Sequence, residues 1–182
     1  MADHIWTSIK TELREGVEEQ AHPFKFATLA TLGLERLPRL RTIKIRDFDP
    51  ESLQMTFYTD SRSKKILHIK ENNKVSLLLY HPDKLMQLRI EGLAIRERDE
   101  AVLQDHWSRV EGPAQKDFTT SSAPGTEIKH PEKIEYIYKD DFFSVVYILP
   151  FKIEYLQLKR PHHLRVRFSK REGIWKSDYL VP

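Results

Sequence analysis

The chain has 182 residues, 40% apolar, 10% aromatic and 31% charged, with no cysteine; this composition suits a globular domain with its own core and excludes a disordered chain, a disulfide scaffold, thiolate metal sites and a cysteine nucleophile. Thirty lysines and arginines against 27 acids leave a net charge of only +3, too mild to announce a nucleic-acid binder by itself. No stretch approaches the roughly 18 uninterrupted apolar residues of a membrane span, and the N-terminus has no basic leader followed by an apolar run, so a cytoplasmic protein without a membrane partner is expected.

Ile5, Trp6, Ile9, Leu13 and Val17 recur at helical spacing, which predicts an amphipathic helix ended by Pro23 and lying as a lid on a sheet. "FKFATLATLG" and "LPRLRTIKIRDFD" read as strands joined near Gly33, and "LQMTFYTD" as a third. Asp60, Ser61 and Ser63 are good N-cap residues, and Ile66, Leu67 and Ile69 follow at helical spacing, so a helix starts near Ser61 to Ser63. "KVSLLLYH" and "MQLRIEGLAI" are strands, and "RDEAVLQDHWSRV" is a helix with Ala101, Val102, His106 and Trp107 partly on one face. Residues 110–126 read as a long polar loop, a class more often functional than filler. "FFSVVYILPFKIEYLQL" reads as two strands broken at Pro150, and "HLRVRFSKREGIWKSDYLV" as a hairpin turning at "REG". Seven or eight mostly antiparallel strands with few helices predict an α+β, mainly β, barrel-like fold in one domain over residues 1–182.

Two placements of charge stand out. Arg62, Lys64 and Lys65 occupy the first turn of a helix, where the macrodipole favours acids. A phosphate there would accept bonds from free backbone N–H groups and from Arg or Lys, about 1.5 to 3 kcal/mol each. The ordinary alternative is that the side chains extend into water, at a cost of only about 0.3 to 1 kcal/mol per charge, so the helix alone does not decide. In "RLRTIKIR", Arg39 and Arg41 share one side of the pleat with Ile43 and Ile45, which places a guanidinium over an apolar face. Gln87, Arg89 and Glu91 share a face opposite Leu88 and Ile90, where an exposed Arg89–Glu91 pair is the ordinary reading. His68 and His106 have no partner at metal-ligand spacing, and His162 and His163 read as a solvated strand edge. No metal site, P-loop or nucleophile motif is found.

The order of "RTIKIR", "FYTDSRSKK", "ENNKVSLLL", "QLRIEG", "HLRVRF" and "LVP" resembles the FMN-binding split-barrel flavoproteins of the pyridoxamine 5′-phosphate oxidase type, over residues 24–109 and 150–182. It is most similar to a flavin-binding subfamily related to, but distinct from, the classical oxidase. The resemblance implies an antiparallel split barrel with a few peripheral helices, an FMN cofactor, and the chemistry of an oxidoreductase acting on an unidentified small molecule. It also implies a homodimer with flavin at the subunit interface. It puts the FMN phosphate on Arg41, Ser63, Lys64 and Lys65, with Arg62 beside them, and runs the backbone of Thr42, Ile43 and Lys44 along the flavin ring. It sets Tyr58 and Thr59 at the border of the cofactor, Gln87 on the ring, Ser121 on FMN from the long loop, and Arg167 on the cofactor of the second subunit. Substrate-binding positions of the oxidase fall on Arg46, Asp105, Arg109 and Pro113, and on His163, Leu164 and Arg165, with Leu156 replacing a stacking tryptophan. Arg46, Arg109, His163 and Arg165 remain as candidate substrate ligands, classical pyridoxamine phosphate oxidation is not expected, and no catalytic residue is assigned. Two other readings stay open: an FMN carrier or sensor without turnover, and a barrel binding single-stranded nucleic acid through Arg39, Arg41 and Lys44 with Tyr58 or Phe57 stacking on bases.

Overall fold

The computed structural model describes residues 2–137 and 141–182. Its strands are β1 (Phe26–Leu32), β2 (Pro38–Phe48), β3 (Met55–Asp60), β4 (Lys74–His81), β5 (Met86–Arg96), β6 (Phe143–Gln157), β7 (Leu164–Arg171) and β8 (Ile174–Tyr179). Its helices are α1 (Ala2–Glu18), α2 (Lys64–Glu71), α3 (Glu100–Ser108) and the short α4 (Gly112–Gln115). The strands follow the order β3-β2-β1-β4-β5-β6-β7-β8, and an added β3–β6 pairing closes the first six into a barrel from which β7 and β8 extend. Neighbouring strands are antiparallel throughout, as expected from their short connections. No helix among the described residues is long and apolar enough to cross a membrane.

Alternation along the strands sets the inside of the barrel. Leu77, Leu79, Leu88, Ile90, Ile148 and Ile153 are buried there, while Gln87, Arg89 and Glu91 take the outer face of β5. Helix α1 covers one end through Ile5, Ile9 and Leu13, each contributing about 1.5 to 3 kcal/mol by burial. Trp6 reaches Phe168 and Trp175 at ring separations of 4.7 and 5.1 Å, which ties the lid to β7 and β8. Glu12 on the same helix is buried, bonded to Lys84, and faced by His22 Nε2 at 3.3 Å and His81 Nε2 at 4.0 Å. Both rings accept a backbone N–H at Nδ1, from Phe24 and Lys84, so each neutral ring carries its proton on Nε2, toward the carboxylate. In that tautomer neither ring offers Glu12's neighbourhood a lone pair, and the cation that the carboxylate meets is Lys84.

Two expectations are corrected. β6 does not break at Pro150: it runs for 15 residues, with a bulge that pairs Glu91 with Lys152 and Gly92 with Pro150. Proline is tolerated because the bulge sits where the ladder is already interrupted and no N–H is required. Residues 110–126 are not wholly irregular, since α4 and a 3₁₀ turn at Lys116–Phe118 lie within them, anchored by buried Val110 and Phe118. The closing hairpin turns at Glu172 and Gly173, both with positive φ (51° and 81°), as a two-residue hairpin requires.

The bulge also explains Gly92. A Cβ there would lie 2.8 Å from the Leu149 carbonyl oxygen and 3.1 Å from Ile148 Cγ2. Backbone cannot yield cheaply, so Gly92→Ala is expected to destabilise the fold by about 1 to 3 kcal/mol, measured by urea unfolding. A variant as stable as the parent would mean that β5 and β6 are less closely apposed at the bulge.

Candidate functional site

Strand β2 delivers Arg41 on the inner side, near one end of the barrel. One guanidinium nitrogen, Nη1, donates to Thr31 Oγ1 (2.7 Å), Arg39 O (2.7 Å) and Leu29 O (3.3 Å). All three acceptors are neutral. Arg39 is engaged elsewhere, with Glu35 at 3.2 Å. At the end of β3, Thr59 and Ser63 are buried with their hydroxyls 3.3 Å apart, and Lys65 Nζ donates to Thr59 Oγ1 at 2.8 Å. Ser63 is the N-cap of α2, as its residue type predicts, yet its side chain makes no cap bond and no acid occupies the first turn.

The electrostatics of this group favour an anion. Burial, and after it the field of Arg41, holds the Lys65 ammonium below its ordinary range; Asp60 opposes them. Burial likewise lowers the Arg41 guanidinium. Asp60 cannot neutralise both cations, because it is already bonded to Arg62 at 2.7 Å. Arg41, Lys65, two buried hydroxyls and an uncapped helix start therefore fit a phosphate. Lys64 lies exposed at the rim. Arg62 does not join the group: its side chain turns to Asp60 and to the carbonyls of Thr120 and Ser121.

The other positions named from the sequence fall into separate groups. Thr42 is exposed, Ile43 is buried in the core, and Lys44 is half-buried with its ammonium lowered by burial and by Arg46 and Lys25. Only the main chain of Ile43 is available to a ligand. Tyr58 lies on the face of β3 opposite Thr59: its hydroxyl meets His106 Nδ1 at 2.9 Å, and the Arg46 guanidinium sits over its ring at 5.3 Å. His106 Nε2 reaches Tyr147 Oη at 3.4 Å. Arg109 is bonded to Asp105 on its own helix.

Gln87, Arg165 and Arg167 share the outer face of β5 to β7. Here Glu154 accepts from Arg89 Nη2 (2.8 Å) and Arg165 Nε (3.0 Å), while Arg167 donates to Asp178 at 2.9 Å. The expected Arg89–Glu91 contact is long, at 3.9 Å, and Glu91 bonds Lys152 instead at 3.0 Å. His163 is exposed and accepts the Lys159 N–H at 3.2 Å. Sequence reasoning missed Glu154, the Thr31 link between Arg41 and His68, and the partners of His106. Each depends on a contact between residues far apart in the chain, for which spacing carries no signal.

His106 yields a test. Burial first, then Arg109, lowers its pKa, while Asp105, Asp47 and Glu97 oppose the shift; Tyr58 and Tyr147 complete its surroundings. A histidine depressed in the folded state adds stability above its unfolded pKa near 6.5, and that stability is lost as pH falls toward the folded value. His106→Gln should therefore lower Tm more at pH 7.5 than at pH 5, measured by thermal unfolding. Equal losses at both values would mean that His106 is not held neutral.

The sequence model described as pyridoxamine 5′-phosphate oxidase, FMN-binding domain, matches residues 3–96. The chain is 27% identical, over 95% of its own length and 87% of the relative's, to the pyridoxine/pyridoxamine 5′-phosphate oxidase of Aliarcobacter butzleri (strain RM4018). Among solved structures, it superposes with a TM-score of 0.80 and 21% identity on a pyridoxamine 5′-phosphate oxidase-related, FMN-binding protein of Nostoc punctiforme, covering 97% of this chain and 96% of that one. It also superposes on PhzG of Burkholderia lata, in complex with tetrahydrophenazine-1-carboxylic acid, with a TM-score of 0.79, 21% identity and coverage of 97% and 91%. These neighbours establish the split-barrel fold.

Proposed function

Since the chain belongs to the pyridoxamine 5′-phosphate oxidase FMN-binding family, we propose that it is an FMN-dependent oxidoreductase acting on a small molecule, working as one domain over residues 1–182. The observation that carries the reading is the pair of part-buried cations, Arg41 and Lys65, bonded only to neutral oxygens beside the open start of α2. Bound FMN supplies the two-electron redox chemistry. Arg41, Lys65, Ser63 and Thr59 bind its phosphate, with Lys64 adding charge from the rim. The main chain from Thr42 to Lys44 orients the ring, and the Gln87 amide stands as a hydrogen-bond partner on the outer face.

Arg46, Arg109, His163 and Arg165 remain the substrate candidates. Arg109 and Arg165 are each engaged by an acid of the same chain, which weakens their pull on a phosphate dianion. The ring-shaped carboxylic acid carried by the Burkholderia neighbour supports testing cyclic acids beside phosphate esters as substrates. Purified protein should be yellow with a bound-flavin spectrum, and stopped-flow reduction by NADPH or NADH followed by reoxidation with oxygen separates an enzyme from a carrier. Arg41→Ala and Lys65→Ala should each weaken FMN binding by about ten-fold or more, the loss of one charge-assisted hydrogen bond, while riboflavin affinity changes little. Titration of apoprotein by flavin fluorescence quenching measures both, and unchanged FMN affinity in both variants removes this phosphate site.

A homodimer completes the proposal. Phe26 (53% exposed), Leu78 (41%) and Tyr80 (50%) leave the outer face of β1 and β4 apolar beside Gln87. A second copy on that face would cover it and bring its Arg167 to the flavin held by the first, with Ser121 reaching FMN from the long loop. Light scattering should then report about twice the chain mass. Mixing Arg41→Ala with Arg167→Ala protomers should restore a fraction of competent sites, and a flavin-loaded monomer would sink the arrangement.

A further inference from the structure

We propose that Arg62 is a positioning residue that fastens the loop of residues 119–135 to the phosphate end of the barrel, and so sets flavin affinity without touching the flavin phosphate. The sequence puts Arg62 beside Ser63, Lys64 and Lys65, where it reads as one more cation for an anion. The structure gives its donors other work. Nε and Nη2 grip the buried Asp60 carboxylate at 3.1 and 2.7 Å, and the Arg62 main-chain N–H donates to the same group at 2.7 Å. Nη2 also donates to Thr120 O at 2.8 Å, and Nη1 to Ser121 O at 3.2 Å. The guanidinium lies 3.3 Å from the ring centroid of Phe142. A fork clamped on a carboxylate, two carbonyls and a ring face has little left for a ligand, and its charge is already met by Asp60.

The loop has few other holds. Among the described residues, the hydrogen bonds that side chains outside 119–135 donate into it all come from Arg62, and the loop's own Thr119 Oγ1 reaches out to the nearby Lys116 O at 3.2 Å. The loop closes on itself and on the residues just after it: Thr120 bridges Tyr136, Ser121 N–H donates to Glu135 O at 2.8 Å and Ile137 N–H donates to Thr119 O at 2.7 Å, so the segment is a local hairpin. The anchor is rigid at its other end. Asp60 is the last residue of β3, and Ser61 N–H donates to Phe142 O at 2.7 Å, while Phe142 N–H donates to Phe118 O at 2.8 Å. Arg62 thus links the strand that supplies Thr59 to the loop that carries Ser121. The effect on flavin rests on the proposed function above; the fastening does not.

The test uses Arg62→Met, which keeps the apolar stem and removes the fork. Endoproteinase Lys-C, which can cut after Lys116, Lys129 and Lys133 in and beside the loop, is applied to the full-length apoprotein. Cleavage should be about five-fold faster or more in the variant, because local opening becomes easier. FMN and riboflavin affinities, from fluorescence quenching, should both weaken by about five- to ten-fold and by the same factor, leaving their ratio unchanged, because phosphate contacts are spared. Selective loss of FMN affinity with riboflavin spared would make Arg62 a phosphate ligand and overturn the proposal, as would unaltered cleavage. Should Arg62→Met fail to fold, Phe142→Leu removes only the stacking face and should move cleavage and both affinities in the same direction; no change there also overturns it. If flavin does not bind the wild-type protein at all, the flavin reading falls, and faster cleavage of Arg62→Met still upholds the fastening.

Discussion

Strand β6 has to satisfy three partners at once, and the rest of the molecule is arranged around how it does so. Residues Phe143–Ile148 pair with β3, Lys152–Gln157 pair with β7, and β5 runs along both stretches. The partner on one side changes at Pro150 and Phe151, where the bulge takes up the extra residue. A bulge increases local twist and bends the strand, which lets one half close the barrel while the other leaves it. Closure in turn fixes the end of β3. Asp60 pairs with Phe143, and the next residue is held to Phe142 by a main-chain bond, so the start of α2 has a defined place relative to Arg41.

With that frame fixed, the distribution of charge separates one group from the rest. Arg89 and Arg165 share Glu154, Lys152 meets Glu91, Arg167 meets Asp178, Arg39 meets Glu35, Arg109 meets Asp105 and Arg62 meets Asp60. The exposed pairs among them, such as Arg39–Glu35 and Arg109–Asp105, add little stability, about 0 to 1 kcal/mol. Their consequence is local neutrality. Arg41 and Lys65 differ: the field of Arg41 registers on Lys65, and the oxygens they bond are hydroxyls and carbonyls. Part-burial of two like charges is costly, and an anion between them converts that cost into binding energy.

Much of this was legible in the sequence because it is local. The i, i+4 recurrence of Ile5, Ile9 and Leu13 gave the buried stripe of α1, Ser63 marked the start of α2, and alternation in "QLRI" put Gln87 and Arg89 on one face. The identity of parity between Arg41 and Ile43 correctly placed a guanidinium on the inner side of β2. What failed was not local. Pro150 looks like a terminator until Gly92, 58 positions earlier, is seen opposite it. The contacts of Arg62 were likewise out of reach: its sequence neighbours are Ser63 and Lys64, while Asp60, Phe142 and the Thr120 carbonyl surround its side chain. α4 is too short, and too poor in apolar residues, to rise above a polar loop in any periodicity.

The two histidines near the site were read as lacking metal partners, and the structure gives them a different use. Thr31 Oγ1 accepts from Arg41 at 2.7 Å, so its hydrogen is free to go to His68 Nδ1 at 3.0 Å, and His68 serves as a neutral acceptor behind a cation. Burial, then Arg41 and Arg39, lower its pKa, with Glu35 opposing and Lys64 adding to them. His106 is neutral for the same reasons on the opposite face of β3, between Tyr58 and Tyr147. The Tyr147 hydroxyl is pushed up to about 12 by burial and by Glu97, so it too holds its proton. Adjacent residues of one strand, Tyr58 and Thr59, therefore face two environments: the Tyr58–His106–Tyr147 chain of rings with Arg46 over Tyr58 on one side, and Arg41 and Lys65 bonded to neutral oxygens on the other. Because successive side chains of a strand point to opposite faces, a single peptide joins an anchor suited to an anionic group to an aromatic surface. A cofactor with a phosphate at one end and a planar ring at the other has the same polarity.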